Sequence, residues 1–406
     1  MNMKSLWRIL STLTLAAIVL SACGGAPGQK GASETQVAEA ALQTLTAMPQ
    51  LATPPAVTLE PPTPTATLTA TPGPTATSAT ILVGPTGFPK NVNPLTGLTM
   101  SDTKLLDRRP AMVKVSNFPA SGRPHAGLSS ADIVFEYYIG EGMNRFMALF
   151  YGQNASVVGP VRSGRIIDAQ LVPMYQGILG YSGAYVTILK AITDAIGNRA
   201  IMEGACPAVC DDGHGTVTSV FANTLEMTKY AQANGADAKT RPNLDGMRFE
   251  GPVPQGGKAG SQVAIIFNQL NRGEWRYDAT SGAYLRWIED ANDSSKMIPL
   301  TDRNNKKQLS FSNVVVLFAF HNEVASTIFD VTLAGNTTGE RALLFRDGQV
   351  YDGTWKSNGA DKPISFYTKD GKPMALKPGN TWMAIMGKQS GVKEAAGKWE
   401  VNFNLP

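Results

Sequence analysis

The sequence is poor in cysteine. Among 406 residues there are three, Cys23, Cys206 and Cys210. That excludes a small disulfide-stapled scaffold and leaves an ordinary hydrophobic core to hold the fold. Histidine is as scarce, His125, His214 and His321 being the whole set. No Gly-x-Ser-x-Gly elbow accompanies them, so a Ser-His-Asp hydrolase has little support. Beyond the N-terminus no stretch reaches 18 uncharged apolar residues, and a permanent membrane-spanning helix needs about 20. Net charge is small too, +4 overall, and it falls when Lys4 and Arg8 leave with the leader described next. There is no electrostatic case for nucleic acid. No cofactor is called for.

What is present begins at the N-terminus. Lys4 and Arg8 form a positive n-region, and Leu10 to Leu20 an apolar run too short to remain as a span. Leu20-Ser21-Ala22-Cys23 is a lipobox. Its small residues admit the signal peptidase, and the Cys23 thiol takes the diacylglyceryl group. Residues 1–22 therefore read as a lipoprotein signal peptide and Cys23 as the lipidation site, which puts the protein on the extracytoplasmic face of a membrane. Between Thr53 and Thr80 lie ten Thr and seven Pro with one charge, Glu60. Proline removes N–H donors, and too little apolar surface is left to build a core. Residues 23–88 read as a disordered Thr/Pro-rich stalk, with a coil span of roughly 45 Å.

The remainder is long enough for two domains. Strands are expected at Ala111–Ser116, Asp132–Tyr138, Phe146–Tyr151 and Gly177–Tyr181, and helices at Ile166–Tyr175, Val186–Ile196 and Asn223–Ala233. This mixture predicts an α/β or α+β N-terminal domain over residues 89–253. Gly251 to Gly260, two prolines and four glycines, breaks both periodicities and places a linker at 254–261. Residues 262–406 predict a smaller, β-rich C-terminal domain. It has buried strands at Gln262–Phe267 and Val314–Phe320 and hairpins turning at Ser281-Gly282, Asp347-Gly348 and Asp370-Gly371.

The densest polar constellation lies in the first half. It comprises Arg123-Pro124-His125-Ala126-Gly127-Leu128, Ala131-Asp132-Ile133-Val134-Phe135-Glu136, Arg145-Phe146 and Gly159-Pro160-Val161-Arg162-Ser163-Gly164-Arg165. These motifs resemble those of the YerB-like lipoprotein family, envelope proteins whose domain is of unknown function. Asn93-Pro94-Leu95-Thr96-Gly97 and Arg109-Pro110 fit as well, and so do Gly353-Thr354-Trp355-Lys356, Asp370-Gly371-Lys372-Pro373 and Thr381-Trp382. The likeness covers nearly all of Asn93–Met386 and brings no established reaction with it. One departure stands out. Where relatives carry Pro-His-Asn, this chain has Thr218-Ser219-Val220-Phe221, with His214 four residues earlier.

The residues themselves suggest an anion site. Gly159-Pro160 should break the chain before a helix that Ser163 caps, with Arg162 and Arg165 beside its first N–H groups. Arg145 joins them, and guanidiniums add bidentate donors for carboxylate or phosphate. The competing expectation is that these arginines pair with Asp132, Glu136, Glu141 and Asp168 and only organise the core edge. Glu136 and Glu141 are the candidate catalytic carboxylates, since Glu136 ends an apolar strand where desolvation would raise its pKa. Cys206 and Cys210 suggest a disulfide pinning a loop, against a zinc site completed by His214; no metal is expected. The aromatics Trp275, Tyr277, Tyr284, Trp287, Tyr351, Trp355 and Trp382 fill a small β core or, alternatively, stack on sugar rings.

The leading reading is non-enzymatic: a lipid-anchored envelope protein whose N-domain binds an anionic ligand or a cell-wall glycan or peptide through Arg145, Arg162, Ser163, Arg165 and Glu136. The alternatives are an envelope hydrolase using Glu136 or Glu141 with Arg162 and Arg165, and a structural protein-interaction module.

Overall fold

The computed structural model describes residues 82–405 except 326, 327 and 358. The expected signal peptide, Cys23 and most of the stalk lie outside the described residues. The chain opens with β1 (Leu82–Val83), β2 (Ala111–Ser116), β3 (Ile133–Gly140) and β4 (Met143–Phe150). Then come α1 (Asp168–Met174), β5 (Ile178–Tyr181), α2 (Val186–Ile196), β6 (Ala200–Met202), β7 (Val209–Asp211), β8 (Val220–Ala222), α3 (Thr224–Ala233) and β9 (Arg248–Glu250). Past residue 250 the described elements are all strands. They are β10 (Lys258–Ala259), β11 (Gln262–Asn268), β12 (Asn271–Asp278), β13 (Ala283–Glu289), β14 (Met297–Pro299), β15 (Ser310–Phe311), β16 (Asn313–Ala325) and β17 (Ile328–Thr332). After them run β18 (Glu340–Arg346), β19 (Gln349–Ser357), β20 (Ile364–Tyr367), β21 (Ala375–Leu376), β22 (Thr381–Gly387), β23 (Gly391–Ala395) and β24 (Lys398–Asn402).

A twelve-stranded sheet runs β10-β19-β18-β16-β22-β3-β4-β2-β5-β6, with β17 and β20 attached to β16 and β19. Strands β16, β22 and β3 are mutually parallel. β4 is antiparallel to both β3 and β2, and β5 and β6 run parallel to β2. The carboxyl ends of β16, β22, β3, β2, β5 and β6 therefore all lie along one rim. A seven-stranded sheet, β14-β13-β12-β11-β24-β23 with β15, covers one face.

The pleat sorts the core. Val113, Val115, Val134, Phe146, Ala148, Val314 and Val316 face the seven-stranded sheet and pack with Val263, Ile265, Trp275, Tyr284 and Trp382. Their neighbours Met112, Phe135, Tyr137, Met147, Leu149, Val315 and Leu317 face the other way, onto Leu171 and Val172 of α1 and Ile188, Ile192 and Ile196 of α2. The four-residue spacing of these isoleucines puts them on one side of α2, as an amphipathic helix requires.

Three expectations are corrected. Residues 82–83, assigned to the stalk, form β1 and pair with Phe249 and Glu250. The expected linker contains β10, which pairs with Gln349 and Val350 of β19. Its glycines break sequence periodicity because they permit close approach: a Cβ on Gly257 would sit 2.2 Å from Gln349 Oε1. The third hairpin is shorter than expected: its turn closes with Gly371 N–H donating to Thr368 O, and Met374 N–H donates to Phe366 O. One bridge joins Tyr367 to Pro373, and β21 then leaves to pair with Arg248 and Phe249.

Candidate functional site

Three alternating positions on the α1-facing side of the sheet carry polar groups near the rim: Lys114 on β2, Tyr137 on β3 and Arg145 on β4. Tyr137 and Arg145 are directly opposed, as are Ser116 and Arg145. Asp168, the first residue of α1, closes the group from above. Lys114 Nζ lies 2.8 and 3.0 Å from the two Asp168 oxygens, and Tyr137 Oη donates to Asp168 Oδ1 at 2.5 Å. Lys114 also donates to Tyr137 Oη. Lys114 and Asp168 are fully buried. Burial pushes the Lys114 ammonium down to about 7, against the pull of Asp168. Burial, then the Asp168 charge, pushes the Tyr137 phenol well up.

Around this triad stand three guanidiniums. Arg145 is 7% exposed and donates to the Ser163 carbonyl. Arg165 donates to the carbonyls of Gly164 at 2.8 Å and Ser163 at 3.5 Å. Arg162 is tied down by its backbone, N–H to Lys114 O at 2.9 Å and carbonyl accepting from Ser182 N–H at 3.1 Å. Its side chain has no hydrogen-bond or carboxylate partner among the described residues, and its Nε is buried. Burial, followed by the charges of Arg165 and Arg162, holds Arg145 down at about 9. Burial lowers Arg165 too, with Asp168 opposing the shift. Ser182, whose N–H meets the Arg162 carbonyl, donates through its hydroxyl to Glu203.

The arrangement differs from the expected one in three ways. Ser163 caps nothing. Helix α1 starts later than expected, its N-cap Ile167 makes no side-chain bond, and it is the Asp168 carboxylate that accepts from Arg165 N–H at 2.7 Å. Ser163 contributes its carbonyl instead. Secondly, Glu136 is not part of this site. It precedes Tyr137 on β3, and the period-two pleat turns it to the opposite face. There, 1% exposed, it accepts from Asn144 at 2.6 Å, Trp382 Nε1 at 2.7 Å and Arg286 at 3.1 and 3.2 Å. Glu141 lies in the β3–β4 turn at a φ of 53° and is exposed. The two carboxylates proposed for a hydrolase thus occupy separate environments, one buried on the opposite face and one exposed in a turn. Thirdly, the arginines are not spent on the acids suggested for them. Asp132 accepts from Asn93 and from the Tyr151 and Gly152 N–H groups, Glu136 pairs with Arg286, and Asp168 is taken by Lys114.

Sequence reading missed Lys114 and Tyr137. Lys114 left a signal, a lone cation at an alternating position inside Ala111–Ser116, all six residues of which are buried. Tyr137 left none, because an aromatic in a strand is ordinary core.

Elsewhere, Cys206 and Cys210 are joined in a disulfide just before and within β7. No group of three or more His, Cys, Asp or Glu among the described residues could hold a metal ion. His125 and His321 are buried, and burial pushes them to about 3 and about 4. His214 is exposed and 2.7 Å from Asp212. Trp275, Trp355, Trp382 and Tyr284 are fully buried, so they fill the core. A cavity of about 340 Å³ is also lined by arginines, Arg109 and Arg199. Theirs are committed to main-chain carbonyls, Arg109 to Ala236 and Gln176 and Arg199 to Gly177 and Ile196.

Fold and site together define a two-part, sheet-dominated protein with a cationic cluster at the carboxyl ends of parallel strands. The family model "Protein of unknown function (DUF3048) N-terminal domain" matches residues 95–237, and its C-terminal counterpart matches residues 263–383. The chain is 30% identical over 305 residues to "Putative lipoprotein YerB" of Bacillus subtilis (strain 168), covering 72% of this chain and 85% of that protein. It superposes on the crystal structure of the YerB protein from Bacillus subtilis with a TM-score of 0.59 at 27% identity, over 73% of this chain and 96% of that one. The chain belongs to the YerB-like lipoprotein family.

Proposed function

We propose that this protein is a lipid-anchored extracytoplasmic protein, lipidated at Cys23, whose Arg145, Arg162 and Arg165 bind an anionic ligand of the cell envelope. We read its N-terminal half as a mixed α/β unit that positions this site, and its C-terminal half as the β module that completes the sheet. The observation that carries the binding reading is the excess of unneutralised cation. Four basic side chains converge, and the one buried carboxylate among them belongs to Lys114. Leaving guanidiniums half-buried without a carboxylate costs stability, and folds keep such arrangements where a ligand supplies the missing charge. The position fits as well: in open sheets with parallel strands, ligands bind outside the carboxyl ends.

The test is retention of the full chain on purified cell wall. The Arg162 side chain has no hydrogen-bond or carboxylate partner among the described residues to lose, so Arg162→Gln should weaken retention about tenfold or more while the protein stays folded. Retention equal to the parent protein would reject the site. The anchor has its own test. Cys23→Ala should abolish labelling by a fatty-acid probe in cells, and equal label on the variant would remove the lipoprotein reading.

A further inference from the structure

The charge balance and the spread of the donors specify the class of anion; this step rests on the anion-binding reading above. Lys114 and Asp168 neutralise one another at 2.8 Å. Arg145, Arg162 and Arg165 remain, three charges close enough that Arg165 and Arg162 lower the basicity of Arg145, and Arg162 that of Arg165. A carboxylate brings one negative charge and two oxygens. Against three guanidiniums it leaves two charges uncancelled and one fork unused. A phosphate monoester carries about −1.5 to −2 at neutral pH and three acceptor oxygens. It can give each guanidinium an oxygen of its own and cancel most of the excess.

The donors are also placed for a compact group. Arg145 and Arg165 each spend one terminal nitrogen on the Ser163 carbonyl, which draws their guanidiniums to a common point. Arg162, whose main chain hydrogen-bonds to β2 next door, keeps its whole fork free among the described residues. With Arg145 only 7% exposed, a small oxyanion reaches all three more readily than an extended acidic surface does.

We propose that Arg145, Arg162 and Arg165 form a phosphate-binding site that takes the terminal phosphate of a phosphomonoester. The carrier is either a soluble phosphate compound or a lipid bearing an exposed phosphomonoester headgroup.

Calorimetric titration of the full chain tests this with two ions of different class, inorganic phosphate and acetate, at about neutral pH, where the second phosphate ionisation, near pH 6, is largely complete. Phosphate should bind saturably, acetate at least about tenfold more weakly, and Arg162→Gln should weaken phosphate about tenfold or more, at one charge-assisted bond lost. Acetate binding as tightly as phosphate, with both weakened by Arg162→Gln, would overturn the phosphate assignment and leave the anion site standing. Phosphate binding unchanged by Arg162→Gln would place the ion elsewhere and overturn the assignment. No binding of either ion by folded protein would overturn the phosphate assignment and the anion reading together. A second arm identifies the carrier. Sedimentation with phosphatidylcholine vesicles containing phosphatidic acid, but not with vesicles lacking it, in a manner sensitive to Arg162→Gln, assigns a lipid headgroup; phosphate binding in solution without such sedimentation assigns a soluble carrier.

Discussion

Glu136 and Tyr137 are neighbours in sequence and serve opposite sides of the molecule. Glu136 binds Arg286, and that guanidinium lies 5.1 and 4.9 Å from the ring centres of Trp275 and Trp382. It also lies against the β12 backbone at Gly273, where a Cβ would come within 2.2 Å of it. Removing one member of a buried pair strands the other, at a cost of about 3–5 kcal/mol. Glu136→Ala should therefore lower urea stability by that order. A loss below about 1 kcal/mol would show that the pair does not tie the two sheets together. Little of this was legible in advance. The sequence shows an acid at the end of an apolar strand, which fits catalysis and structure equally well. The partner that decides between them, Arg286, lies 150 residues away. The arginines of the candidate site were legible as a cluster because Arg145, Arg162 and Arg165 crowd into a short stretch of the sequence. Lys114 and Tyr137 reach it from other strands and were not.

At the scale of elements, periodicity and turn signals located about half of the described strands and all three described helices. β2 and α2 have the boundaries that alternation and four-residue spacing predict. α1 is shorter than expected, because Arg162 still bonds to β2 at Lys114 O, Gly164 N–H turns to Gly183 O, and residues 166–167 form a turn before the helix begins. Pairing was the harder matter. Nothing in the sequence says that β22 enters between β16 and β3, in parallel register with both. That insertion has a consequence. A fragment ending at residue 253 lacks β22 and would expose the long apolar edge of β3, an aggregation-prone arrangement. Residues 82–253 expressed alone should therefore fail to unfold cooperatively in urea. A sigmoidal transition with native-like protection of β3 amides would show that the first half is independent of the second.

For the molecule as a whole, β1 joins the fold through β9, whose partner β21 lies a few residues before the amino end of β22. The cationic cluster sits at the other end of the parallel strands. Like charges gathered without a ligand repel one another, so a site kept for binding is held at some expense to stability. Scaffold arginines behave in the reverse way, since each removal strands a partner. The melting temperature of Arg162→Gln, measured on the same full-length protein whose retention on cell wall is scored, separates the two most directly. The melting temperature should equal or exceed that of the parent, with retention lost. A fall of several degrees with retention intact would contradict the binding reading and leave Arg162 as part of the framework.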